Sequence, residues 1–166
     1  MPISGYIKDL RAFIGRKPLL TPGVDAVIYN DSGELLFIKR SDNGLWGLPG
    51  GQLDPLEPPA LGLVREVFEE TGLKVVPDQL LGIFGGNDAF HIRYSNGDEV
   101  HPVVSLFSCR IVGGELQNRD GEATEVRFFA PDELPTELTS ITAYLLARSA
   151  QKSLFDWDER WLDALG

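Results

Sequence analysis

Between Gly51 and Leu73 the chain carries Gly51, then Glu57, then the run Arg65-Glu66-Val67-Phe68-Glu69-Glu70-Thr71-Gly72-Leu73. As a pattern this is G-x5-E-x7-R-E-U-x-E-E-x-G-U, with U a bulky aliphatic residue. At average residue usage, a random match in a chain of this length has odds on the order of 10⁻⁷ or lower. Three glutamates fall within five consecutive positions of a segment that reads as a helix. Packing has no use for three mutually repelling carboxylates, whereas divalent cations do.

Helical spacing explains how they converge. Glu66, Glu69 and Glu70 stand at i, i+3 and i+4, which share one face. Ala60, Leu61, Val64, Val67 and Phe68 fill the opposite arc, with Leu63 at its border, and this apolar stripe is expected to face the core. Pro58 and Pro59 suit the first helical positions, and Gly72 suits a left-handed cap at the end. Gly62 costs about 1 kcal/mol relative to Ala inside a helix. It falls on the acidic arc and reads either as a glycine tolerated by packing or as a gap left for a metal or diphosphate.

The flanking residues add to this chemistry. Gly50-Gly51 offers backbone that can approach a ligand closely. Glu57 and Arg65 are spaced to form an ion pair bracing the loop against the helix. Hard oxygen donors at this density suit Mg²⁺ or Mn²⁺, and both favour phosphate substrates.

Residues 51–73 resemble the signature box of the Nudix hydrolases, which cleave nucleoside diphosphates linked to another moiety. The likeness extends outward to Leu45-Trp46-Gly47-Leu48-Pro49-Gly50-Gly51 and to Phe128-Phe129-Ala130-Pro131-Asp132-Glu133-Leu134-Pro135, and so spans about residues 20–150. The resemblance implies an α/β fold, the Nudix α/β/α sandwich with a mixed sheet. It also implies a metal-dependent hydrolase that cleaves a diphosphate bond by in-line attack of water. By position, Glu66 and Glu70 would be direct metal ligands, Glu69 would bind the metal or its water, and the Gly51 carbonyl would complete the shell. Glu57 and Arg65 would hold the loop, and Glu69 or Glu70 would be the general base. Members often recruit a further acid before the closing strand; Glu122 matches best, with Asp120 and Glu125 as alternatives. Many members carry Gly before the first box glutamate where this chain has Leu56, and the helix opens on Pro58-Pro59, departures that bear on loop shape and substrate preference. The alternative class is a nucleotide-sensing module of the same fold without turnover, but such modules usually lack one or more box carboxylates, and all are present here. Isopentenyl diphosphate isomerisation would need a catalytic cysteine, and Cys109, the one cysteine, lies in an apolar stretch that reads as a buried strand.

Composition agrees with one enzyme domain over residues 1–166, comprising an N-terminal helical extension (1–20), the box (51–73) and a C-terminal helical segment (138–166). The net charge of −10 argues against stable nucleic-acid binding, because no basic stripe exists to neutralise phosphates. A small nucleotide is the expected partner, and the resemblance leaves a homodimer open. One cysteine allows no disulfide within the chain and no zinc spacing. No apolar run approaches a membrane span and no signal-peptide core is present, so a cytoplasmic location is expected.

Along the chain, 3–14 has helical spacing, 23–29 and 34–40 read as a hairpin around Asn30-Asp31-Ser32-Gly33, and 79–93 with 99–111 as a second one around Ser95-Asn96-Gly97-Asp98. Gly113-Gly114 reads as a turn, 124–129 as a strand and 138–150 as a helix. Substrate contacts are the least legible. Arg40 could meet a phosphate or be an ordinary surface arginine, and Trp46 could stack on a base, although a packing anchor is its plainer reading, while Phe84, Phe90, His91 and Tyr94 could line a base or sugar pocket. Lys8, Arg11, Arg16 and Lys17 make the N-terminal segment basic; a solvated helix face is the plainer reading.

Overall fold

The structure is a computed structural model that describes residues 5–94, 96–119 and 121–165. Its centre is β1 (Leu19–Ile28), which lies antiparallel to β4 (Gly50–Gln52) on one side and parallel to β7 (Glu99–Gly114) on the other. The far side of β7 pairs antiparallel with β5 (Leu73–Phe84), and its start pairs with the short β6 (Ile92–Arg93). The sheet is therefore mixed. A second, antiparallel sheet runs β3 (Trp46–Gly47), β2 (Leu35–Arg40), β8 (Ala123–Phe129).

Strand β1 is apolar on both faces because both are covered, as expected for a strand inside a layered sheet. Val24, Ala26 and Ile28 pack with Leu63 and Val67 of helix α2 (Pro59–Thr71). Val27 instead joins Phe37, Phe84, Val104 and Leu145, the last from helix α3 (Ser140–Ala150). The two helices thus cover separate cores, which is the sandwich architecture. Helix α1 (Gly5–Ile14) buries no residue.

Four expectations are revised. Residues 23–29 and 34–40 do not form a paired hairpin: β1 and β2 belong to different sheets and pair only through an isolated Tyr29–Leu35 bridge. Helix α2 starts after Pro58 and ends at Gly72, whose φ of 72° is left-handed, but it is rolled relative to the expected stripe. Leu63 is fully buried while Leu61 is 58% exposed. The buried face comprises Leu63, Val67, Glu70 and Thr71, so it includes part of the acidic arc. Next, β5 begins at Leu73, directly after the helix cap, and bulges near Pro77 and Leu80 break its alternation. The tight hairpin is only β6–β7, while β5 pairs with β7 over a much longer register. Finally, Gly113-Gly114 is the end of β7 and pairs with Lys74 and Leu73. Ser95 of the expected turn and Asp120 lie outside the described residues.

Candidate active site

The box carboxylates sit where helix α2 crosses the β4 edge. A Cβ on Gly51 would lie 2.6 Å from both carboxylate oxygens of Glu66, so only a bare Cα lets that side chain rest against the strand. Glu70 is 1% exposed, and its Oε2 accepts a hydrogen bond from the Gly50 amide at 2.8 Å. Gly50 itself (φ 154°) leaves no room for a Cβ, which would run into the Val24 carbonyl and the Asp25 carboxylate. The helix and the glycine strand are therefore fitted residue against residue.

Arg65 organises the acids. Its Nε and Nη2 donate to the two carboxylate oxygens of Glu57, each at 2.8 Å, the bidentate arrangement in which Arg holds a carboxylate best. Its Nη1 donates to Glu66 at 2.8 Å and to Glu69 at 3.3 Å, and Nη2 also reaches the Gln52 carbonyl. The hydrogen bond from Arg65 holds the Glu57 carboxyl below its usual range. Gly62 is explained by the same brace. A Cβ there would strike Leu53 and lie 2.8 Å from Glu57 Oε2, so the glycine makes room for Glu57 rather than for a metal or diphosphate.

The three glutamates differ in environment despite their shared arc. The Glu69 side chain is 50% exposed, while that of Glu66 is 12% exposed. Burial pushes Glu66 up to about 7, opposed by Arg65 and reinforced by the charges of Glu69 and Glu122. That last influence places Glu122 within electrostatic reach of the box. Its backbone carbonyl accepts from Ser41, which fixes the turn after β2 beside it. A buried Glu66 held above the usual carboxylate range, beside further carboxylates and bare glycine backbone, fits a cation: positive charge there would release its proton and relieve the repulsion among the acids.

A cavity of about 280 Å³ opens beside β4, lined by Gly50, Gly51, Asp25, Arg40, Tyr94 and Thr142 among others. One side is held by α3 and the segment before it: Leu48 donates to Thr142 Oγ1, and the Trp46 backbone pairs with Glu137 and Thr139 just ahead of the helix. Of the six expected substrate contacts, Arg40, His91 and Tyr94 line this cavity. Trp46 and Phe90 do not. Trp46 is 7% exposed and stacks edge-on against Phe129 at 4.8 Å, and Phe90 is 1% exposed against Tyr144. Phe84 is likewise core.

The NUDIX domain model matches residues 19–149. The chain belongs to the Nudix family. It is 35% identical over 130 residues to a MutT-like protein of Streptomyces ambofaciens, covering 78% of this chain and 76% of that one. It is 32% identical to a putative 8-oxo-dGTP diphosphatase of Bacillus subtilis, over 70% of this chain and 71% of that protein. Among solved structures, an ADP-ribose pyrophosphatase from Streptococcus suis superposes with a TM-score of 0.61 at 31% identity, covering 82% of this chain and 98% of that one. Like other Nudix hydrolases, this chain is a pyrophosphohydrolase acting on phosphoric anhydride bonds, and the family uses divalent metal.

Sequence reasoning missed one residue of this Nudix site. Asp25 pairs in register with Gly50, and burial pushes its carboxyl up to about 8 despite the nearby Arg40 charge. Within an apolar strand nothing marks it; only the β1–β4 pairing brings it to the glycines. The Arg40 guanidinium is meanwhile fixed by Asp42, at 3.0 Å and 2.9 Å.

Proposed function

We propose that the chain hydrolyses the diphosphate bond of a free nucleotide derivative, using Mg²⁺ or Mn²⁺ held by Glu66, Glu69, Glu70 and the Gly51 carbonyl. The observation that carries this reading is the contact of Glu66 and Glu70 with the bare backbone of Gly51 and Gly50. When bound, the metal would supply charge neutralisation at the phosphate oxygens and would acidify water. Hard oxygen donors alone make Mg²⁺ or Mn²⁺ the fitting ions.

The chain's own residues do the rest. Arg65 and Glu57 lock the loop so that the carboxylates keep their spacing, and positioning is most of what phosphoryl transfer requires. Glu69 is the general base of choice, because its side chain is half exposed whereas Glu70 is buried and engaged by Gly50. A water oxygen attacks phosphorus, the bond to the bridging oxygen breaks, and the water's proton passes to a Glu69 carboxylate oxygen. Glu122 adds negative charge beside Glu66 and supports the cation set. Tyr94 and Arg40 border the cavity that would receive the remainder of the nucleotide. A net charge of −10 supports a free nucleotide over a nucleic acid as partner.

The test is phosphate release, coupled through alkaline phosphatase or pyrophosphatase, from nucleoside triphosphates, oxidised nucleotides, ADP-ribose, dinucleoside polyphosphates and nucleotide sugars. Metal-dependent turnover on one class, lost in Glu69→Gln and Glu70→Gln, is expected. Tight binding of one compound with no turnover would instead make the chain a nucleotide sensor.

A further inference from the structure

Both histidines of this chain stand in one cluster. His91 immediately precedes β6, and Glu99 and His101 lie two residues apart at the start of β7, so alternation puts the latter pair on one face. Pairing of Ile92 with Val100 and of Arg93 with Glu99 extends the ladder to bring His91 opposite His101. The imidazole rings are 4.7 Å apart. His91 Nε2 and Glu99 Oε2 are separated by 3.2 Å, and one ligand atom from each of the three residues lies within 4.8 Å of the others.

We propose that His91, Glu99 and His101 form a second metal site, selective for Zn²⁺ and related borderline transition ions and distinct from the oxygen-donor site of the box. A tetrahedral zinc ion with bonds of ~2.0–2.1 Å separates its ligand atoms by roughly 3.3 Å. The His91–Glu99 pair already has that separation, and a ring nitrogen of His101 lies within 4.8 Å of both. Two imidazoles and one carboxylate suit Zn²⁺ and poorly suit Mg²⁺, which prefers oxygen alone.

Two further observations distinguish the cluster from an ordinary surface ion pair. His101 Nε2 is buried and has no hydrogen-bond partner among the described residues, a position that a protein normally fills. The second carboxylate oxygen, Glu99 Oε1, is held by Arg93 at 2.6 Å, which orients the first toward the histidines as outer-shell partners of metal ligands do. Binding needs a lone pair on each coordinating nitrogen, so any proton held there is released to solvent as the ion enters. The consequence is structural. The ion staples β6 to β7 and so fixes the hairpin whose Ile92, Tyr94 and Val100 line the cavity.

The experiment is isothermal titration of the full, metal-stripped chain with Zn²⁺ alone, in excess Mg²⁺ that occupies the oxygen-donor site. One equivalent of Zn²⁺ is expected. His91→Ala, in which an exposed side chain is lost and the fold is retained, should weaken it at least ~10-fold, as should His101→Ala. Glu66→Gln should leave it unchanged. Because the chain has only two histidines, proton NMR gives an independent readout: both imidazole signals should move together with one equivalent of Zn²⁺. Unaltered affinity in His91→Ala, or loss of the equivalent in Glu66→Gln with the imidazole signals unmoved, would overturn the site.

Discussion

Gly62 and Glu57 are fitted to each other: a Cβ on residue 62 would lie 2.8 Å from Glu57 Oε2, the oxygen that accepts from Arg65 Nη2. The helix therefore tolerates its least favourable interior residue short of proline in order to seat the brace. Gly62→Ala would gain about 1 kcal/mol of helix propensity. Against that, the new methyl must displace Leu53 and Glu57, and overpacking typically costs about 1–3 kcal/mol. Net destabilisation of about 1 kcal/mol is expected by urea denaturation, with a larger proportional loss of turnover because the brace is what moves. A variant more stable than wild type, with full turnover, would contradict the role given to Gly62.

Leu56 has a φ of 66° and is fully exposed. The left-handed region costs a residue with a Cβ roughly 1–2 kcal/mol. Glycine would remove that strain but add about 0.5–1 kcal/mol of unfolded-state entropy. Since the leucine buries nothing, Leu56→Gly should stabilise the protein by up to ~1 kcal/mol, measured as a higher thermal midpoint. Turnover should be retained, since Glu57 keeps its own partners.

Glu70 combines a structural bond with a chemical task. Glu70→Gln can still accept from the Gly50 amide, so its fold should hold while turnover collapses. Glu70→Ala leaves that buried amide unpaired, at a cost of about 1–3 kcal/mol, and opens a cavity besides. Circular dichroism melts of the two variants should therefore diverge although both are inactive. Equal melts would place Glu70 outside the packing between α2 and β4.

Much of this was legible in the residues. The box fixed a helix between Pro58 and Gly72 because its period, its prolines and its capping glycine agree. The Glu57–Arg65 ion pair followed from spacing. The roll of α2 was not legible, because a buried glutamate looks like a surface one until its Gly50 partner is known. Asp25 stayed hidden because only strand pairing brings it to Gly50. Trp46 read more readily as a packing anchor than as a base-stacking surface, and it is one; Phe90 read as a pocket-lining candidate because an aromatic near a loop does not reveal which side of the sheet it faces, and it too faces the core. The start of β5 was masked by Pro77 and Gly82, which interrupt alternation at bulges.

Acidity should shift stability in an unusual direction when metal is removed. The folded-state pKa values of Glu66, about 7, and Asp25, about 8, lie above their ordinary values. The folded protein thus binds more protons than the unfolded one across this interval. The stabilisation is complete below the ordinary carboxylate range and is lost as pH rises through about 7 and then 8. Glu57 has the opposite sign: its contribution is present above the ordinary carboxylate value and is lost as pH falls from there through its depressed value, below this interval. The melting temperature of chelator-treated protein should therefore fall between about pH 5 and about pH 8. Added Mg²⁺ should restore it more at the higher pH, because ions compete with protons for the same oxygens.

The most direct measurement is turnover as a function of Mg²⁺ concentration for wild type and Glu66→Gln, on whichever nucleotide the panel identifies. Expected is no turnover in chelator, saturable activation of the wild type, and a fall on the order of 10²-fold in Glu66→Gln at saturating metal, equivalent to a few kcal/mol of lost transition-state stabilisation. Wild-type turnover in Glu66→Gln with an unchanged Mg²⁺ curve would contradict the assignment of the box carboxylates as the metal site.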